Sequence, residues 1–154
     1  SDVNDEIMTA VDGTILNSTC DPTKAYTVKL EEYGTYTVRY SYTDWTGETV
    51  PKTLTIEVLD RIPPVIKLAD GYGEKTLIRT SAGKKIKLVG YEVSDNDTAT
   101  EDLTVAIVVI NPRNEAVKVD GELELNLKGE YKVYYYCYDA YGNYAYTYYT
   151  IAAR

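Results

Sequence analysis

The chain contains no histidine, which removes Ser-His-Asp and Cys-His catalysis and every imidazole-based metal site. The side chains left to do chemistry are carboxylates, tyrosines and two cysteines. The densest group of oxygen donors is Asp95-Asn96-Asp97, followed closely by Glu101 and Asp102. Calcium takes roughly six to eight oxygen ligands, and clustered carboxylates with loop carbonyls supply that kind of donor. The segment lacks the EF-hand spacing and its central glycine, and Asp and Asn in such positions commonly cap turns with local hydrogen bonds. The expectation is therefore no metal and no cofactor, with Asp95, Asp97 and Asp102 as the ligands if calcium did bind. Gly71–Thr76, "GYGEKT", has neither the lysine spacing of a phosphate loop nor a following helical pattern. Cys20 and Cys137 lie in different segments with no spacing motif, which reads as two separate buried thiols. No enzyme is expected.

The second chemical feature is aromatic. Ten of the seventeen tyrosines fall within Gly129–Ile151, "GEYKVYYYCYDAYGNYAYTYYTI", in a chain without phenylalanine. Residues two apart in a strand share a face. Tyr131, Val133, Tyr135 and Cys137 form one set, read as the core face, and Tyr134, Tyr136 and Tyr138 the other. With Asp139–Asn143 as the turn, Tyr138 faces Tyr144, Tyr136 faces Tyr146 and Tyr134 faces Tyr148. These six form a ladder of cross-strand pairs on the outer face. A tyrosine face offers apolar rings with polar tips, suited to protein contact, including self-association, or to sugar. It would equally stiffen a terminal hairpin.

The elements that must hold these residues are strands. Short alternating runs rich in Val, Ile, Thr and Tyr recur, such as Leu123–Leu127, Tyr36–Tyr40 and Leu54–Val58. Turn clusters separate them ("DGYGEK", "SDNDTATED", "NPRNEA", "DAYGN"), and no segment has a capped helical period. Leu103–Ile110, more continuously apolar, reads as a central strand. The expected class is all-β, with a core of Ile66, Leu88, Val105, Ile107, Leu123, Leu125, Leu127, Tyr131, Val133, Tyr135 and Ile151. Lys67, between Ile66 and Leu68, should point outward.

A repeat organises the chain. Gly34-Thr-Tyr36-Thr-Val38-Arg-Tyr40-Ser-Tyr42-Thr-Asp44-Trp-Thr-Gly47 aligns without a gap with Gly129-Glu-Tyr131-Lys-Val133-Tyr-Tyr135-Tyr-Cys137-Tyr-Asp139-Ala-Tyr-Gly142. A repeat of that length is a domain, not a solenoid unit. Pro63-Pro64 makes a stiff joint, dividing the chain into residues 1–61 and 62–154. The net charge of −8 is concentrated early, with eleven acidic against four basic residues in positions 1–60 and thirteen against twelve thereafter. That balance argues against nucleic-acid binding, which needs concentrated basic surface. No apolar run approaches the ~20 residues of a membrane span, and the polar, acidic N-terminus carries no signal-peptide pattern.

"DRIPPVIKL", then "SDNDTATEDLTV", then "GEYKVYYYCYDAYGNYA" resemble the bacterial immunoglobulin-like repeats and the related hyalin-repeat domains. The resemblance covers residues 60–151 and implies tandem immunoglobulin-like β-sandwiches. Residues 1–61 match only the later part of the pattern, so two early strands are missing and the first domain is expected to be partial or reduced. The resemblance further implies a non-catalytic structural or adhesion module, extracellular or at a bacterial cell surface. Alternatives are a carbohydrate-binding accessory module of a secreted enzyme and a phage virion decoration domain.

Overall fold

The computed structural model describes residues 5–11, 14–20 and 30–154 of the chain. Every regular element longer than a three-residue 3-10 turn is a strand. The chain is all-β. It divides into two compact units, Ser1–Asp60 and Arg61–Arg154.

The first unit contains β1 (Asp5–Val11), β2 (Thr14–Cys20), β3 (Gly34–Thr43) and β4 (Thr49–Val58) in one antiparallel sheet of order β2-β1-β3-β4. The Cys20 thiol and the Tyr40 and Tyr42 rings lie outside the described residues.

The second unit begins with β5 (Val65–Leu68), directly after Pro63-Pro64, and continues through β6 (Leu77–Thr80), β7 (Lys85–Lys87), β8 (Tyr91–Ser94) and β9 (Thr104–Ile110). β10 (Ala116–Val117), β11 (Glu122–Glu124), β12 (Gly129–Tyr138) and β13 (Tyr144–Ala153) complete it. One layer is a five-stranded sheet, β10-β9-β12-β13-β6, in which β6 runs parallel to the final strand. The other is built from the short pairs β5-β8 and β11-β7. Leu68, Leu123 and Leu125 from the second layer interlock with Val109, Tyr131, Val133, Tyr135, Tyr149, Ile151 and Ala153 from the first, which makes this unit a β-sandwich. Each such fully buried side chain contributes on the order of 1.5–3 kcal/mol relative to exposure. Lys67 is exposed between half-buried Ile66 and buried Leu68, as strand phase requires.

The alternation that defines β12 is unbroken: Tyr131, Val133, Tyr135 and Cys137 are buried and their neighbours are not. Ile66, Leu88 and Leu127 are partly buried against the core. Val105 and Ile107 depart from expectation: Val105 is half-buried and outside the core cluster, and the Ile107 side chain is 41% exposed. The reason is position in the sheet. β10 flanks only Val109 and Ile110, so the remainder of β9 is an edge strand rather than a central one.

The two terminal hairpins are built alike. β3 and β12 open at glycines with φ of +142 and +128, a region that side chains avoid. At Gly129 a Cβ would also meet Pro112 Cβ at 2.8 Å. Two residues on, Tyr36 and Tyr131 turn back on the preceding chain. The Tyr36 hydroxyl donates to Glu32 O (2.8 Å) and accepts from Glu32 N (3.1 Å), and the Tyr131 hydroxyl accepts from Leu127 N (2.8 Å). This is the tyrosine corner of Greek-key sandwiches. Each hairpin then closes on an Asp whose Oδ1 accepts the N–H groups two and four residues on. These are Thr46 and Glu48 for Asp44 (2.8 and 3.0 Å), and Tyr141 and Asn143 for Asp139 (both 2.8 Å). Asn111 repeats the device between β9 and β10, bonding Arg113 N and Glu115 N at 2.9 and 3.0 Å.

Buried tyrosines also join the layers. Residues 88–90 fall between β7 and β8 and make no ladder. There the Tyr135 hydroxyl donates to Val89 O (2.6 Å), and Val89 N donates to the Tyr149 hydroxyl (3.3 Å). Burial pushes both phenols upward in pKa. Their stability contribution is therefore complete below the ordinary phenol range and is lost as pH rises through and beyond it. Tyr135→Phe keeps the ring but orphans the Val89 carbonyl, and should cost about 1–3 kcal/mol in urea denaturation. In a spectrophotometric titration these two phenols should ionise only as the chain unfolds at alkaline pH.

Candidate functional site

The register places the six outward tyrosines opposite one another as Tyr138↔Tyr144, Tyr136↔Tyr146 and Tyr134↔Tyr148. Ring centroids within these pairs are 5.6, 5.6 and 5.0 Å apart, with interplanar angles of 32, 32 and 37°. Tyr134 also stacks on Tyr136 (6.2 Å, 25°) and leans on Tyr146 (6.3 Å, 48°). Lys132 Nζ sits 5.9 Å from the Tyr148 ring centroid and caps one end of the group. Tyr138, Tyr144 and Tyr146 are 38, 54 and 51% exposed, while Tyr134, Tyr136 and Tyr148 are half-buried.

β9 extends this surface. Thr104, Ala106 and Val108 lie beside Tyr138, Tyr136 and Tyr134. The three rows 104–138–144, 106–136–146 and 108–134–148 thus contain no charged side chain. Desolvation, and then the neighbouring phenols, raise the Tyr136 pKa. That phenol therefore stays neutral, a hydroxyl that both donates and accepts.

At the turn end of the ladder lies a polar cluster that phase reasoning did not reveal. Asp139, between Tyr138 and the turn, is only 8% exposed, and its Oδ2 accepts from Asn143 Nδ2 at 2.6 Å. Asp95 Oδ2 accepts from Thr98 N (2.8 Å) and Asp97 N (3.1 Å). Buried Thr98 reaches across to the hairpin turn, its Oγ1 accepting from Ala140 N at 3.1 Å. Carboxylate oxygens of Asp95 and Asp139 come within 4.8 Å of each other. Burial works to raise the Asp95 carboxyl, but the backbone N–H groups of Thr98, Asp97 and Asn96 outweigh it and the net shift is downward. Among the described residues, Asp97 and Asp102 join no such carboxylate group, so the expected trio Asp95, Asp97 and Asp102 is not brought together. The signal that could have pointed to Asp139 was its place two residues after the inward Cys137, which gives it the same inward phase at the start of the turn.

Sequence reasoning also passed over Trp45. It is 90% exposed at the tip of the β3–β4 turn, where the second hairpin has Ala140.

No protein-family model matches the chain, and no curated protein sequence matches it. Among solved structures the chain is similar to the fibronectin(III)-like modules of Clostridium thermocellum CbhA, with 17% identity over 97% of this chain and 77% of that one, at a TM-score of 0.47.

The Cys137 thiol is fully buried and free. Desolvation pushes its pKa up, and the Asp95 and Asp139 carboxylates push it further. A neutral, enclosed thiol is a poor nucleophile. It should stay unlabelled by an aromatic disulfide reagent at mildly alkaline pH in the folded chain and react at once in denaturant. Labelling of Cys137 at the rate of a free thiol in the native Cys20→Ser chain, where it is the single thiol, would contradict the packing described.

Proposed function

We propose that the chain is a non-catalytic structural or adhesion module of a bacterial cell-surface or secreted protein, and that its outer tyrosine face makes a protein contact. The observation that carries this reading is the uncharged aromatic surface of three strands, in a chain with 26% charged residues. The solvated face of an antiparallel sheet ordinarily alternates to polar and charged residues. The first hairpin does so with Thr37, Arg39, Ser41 and Thr43 at the positions matching Lys132, Tyr134, Tyr136 and Tyr138. A contiguous apolar surface of several hundred Å² on a soluble domain usually marks an interaction site.

The ring geometry favours protein over glycan. Sugar stacking uses open ring faces, whereas these rings lean on one another at centroid distances of 5.0–6.3 Å, so that each ring is partly taken up by a neighbour. Rigid aromatic bodies with polar tips suit protein interfaces, where tyrosine is enriched and charged residues are depleted. A non-catalytic role agrees with the absence of histidine from the sequence. Among the described residues no helix is long and apolar enough to cross a membrane. The extracellular setting belongs to the same proposal, through the resemblance of residues 60–151 to bacterial immunoglobulin-like repeats.

The double substitution Tyr136→Ser with Tyr146→Ser removes one rung without touching the core. Sedimentation velocity and a thermal melt on this variant separate the readings. Loss of self-association or partner binding with an unchanged melting temperature supports contact. A lowered melting temperature, by the ~0.2–1 kcal/mol of one cross-strand pair, with association unchanged assigns the ladder to stabilisation alone. Glycan-array binding that disappears in Tyr136→Ala would put sugar in place of protein.

A further inference from the structure

The turn at Asp95 and the hairpin turn at Asp139 bring two carboxylates together. Asp95 Oδ1 is shut off from solvent, with less than 1 Å² accessible, and accepts no hydrogen bond. Its partner oxygen is held by Thr98 N and Asp97 N. Asp139 is more than nine-tenths buried, and a carboxylate oxygen of each residue lies within 4.8 Å of the other. A buried acceptor with no partner costs about 1–3 kcal/mol, and more when it is ionised. Two carboxylates this close resolve their repulsion by taking up a proton or a cation. Asp95 already accepts two backbone N–H groups and Asp139 three donors. Such hydrogen bonds favour the charged carboxylate, so a cation rather than a proton answers the repulsion.

We propose that Asp95 and Asp139 hold a divalent cation with the size and hardness of calcium, independently of any contact made by the tyrosine face. Calcium lies ~2.3–2.6 Å from its oxygen ligands, so one ion touches two oxygens separated by at most 4.8 Å. Two carboxylates leave roughly four to six positions for backbone carbonyls and water. The three acceptor interactions already made by Asp139 do not exhaust a carboxylate, which offers about four lone-pair directions. The donors are all oxygen: the chain has no histidine, and the Cys137 sulfur is not among the grouped ligand atoms. That chemistry selects a hard cation over zinc. The ion would tie the Asp95–Thr98 turn to the loop joining Tyr138 to Tyr144, fixing the open end of the ladder.

The test uses the whole 154-residue chain, stripped with chelator and titrated with calcium chloride, with magnesium chloride as comparison. Calorimetry and thermal melts should show saturable calcium binding. At ten times the dissociation constant the melting temperature should rise by about 5 °C. Asp95→Asn retains an oxygen to cap the turn but removes the charge. It should weaken calcium binding at least about tenfold, the loss expected on removing a charged ligand. Asp97→Asn should bind as the parent does. Tyrosine-sensitised terbium luminescence reads occupancy without reference to stability, and should fall with Asp95→Asn even if Asp139→Asn fails to fold. No saturable binding up to about 10 mM calcium, well above the range of extracellular sites, overturns the proposal. So does binding that survives Asp95→Asn, or that is lost in Asp97→Asn while Asp95→Asn retains it.

Discussion

The second unit depends on three buried hydroxyls. Tyr135 and Tyr149 project from neighbouring strands of the five-stranded sheet and together satisfy both backbone groups of Val89. Tyr131 does the same for Leu127 N. Val89 sits where the opposite layer breaks between β7 and β8, so neither of its groups has a ladder partner. A buried, unsatisfied peptide group would cost more than the net gain of an ordinary hydrogen bond. The hydroxyls remove that cost and fix the two layers at one spacing. Phenylalanine would fill the same volume and leave the backbone orphaned, which gives a physical reason for a core aromatic set made only of tyrosine.

The same residue type does a different thing on the other side of the same strands. Inward phenols are spent on specific backbone atoms. Outward phenols have no such partners and pack on one another, so their hydroxyls stay available. Three rungs at ~0.2–1 kcal/mol each would stabilise the hairpin modestly, but equal stabilisation is available from Thr and charged cross-strand pairs, as Lys85 and Glu124 illustrate at 3.0 Å on β7 and β11. What tyrosine adds is a broad neutral surface. The strand phase keeps the two populations apart, because a slip of one residue would exchange every inward phenol with an outward one.

The hairpin turns link these layers of organisation. Asp44, Asn111 and Asp139 each close a hairpin by accepting the N–H groups two and four residues on. In the first two the bonds are exposed and stay within the turn, Asp44 Oδ1 also accepting from Thr46 Oγ1 and Asn111 Nδ2 also donating to Glu115 Oε2. At Asp139 the turn folds beneath Thr98 and the Asp95 carboxylate. A local capping motif there becomes part of a buried polar cluster. Negative charge gathered at that point also reaches Cys137, the last inward residue of the strand.

Period-two alternation and the gapless repeat were enough to determine the all-β class, the two terminal hairpins, their register and the outward set Tyr134, Tyr136, Tyr138, Tyr144, Tyr146 and Tyr148. These are consequences of covalent strand geometry, which assigns faces by counting and pairs by the turn. Burial at Val133 and exposure at Lys67 follow from the same count. What counting cannot supply is how far a face is covered. Ile107 has the inward phase but lies on an edge that β10 does not reach, and the pairing of Asp95 with Asp139 joins turns 44 residues apart in sequence. The anchoring of Val89 by two distant tyrosines is likewise invisible to phase. Such contacts depend on where one layer ends above the other, a property of three-dimensional packing that no local period encodes.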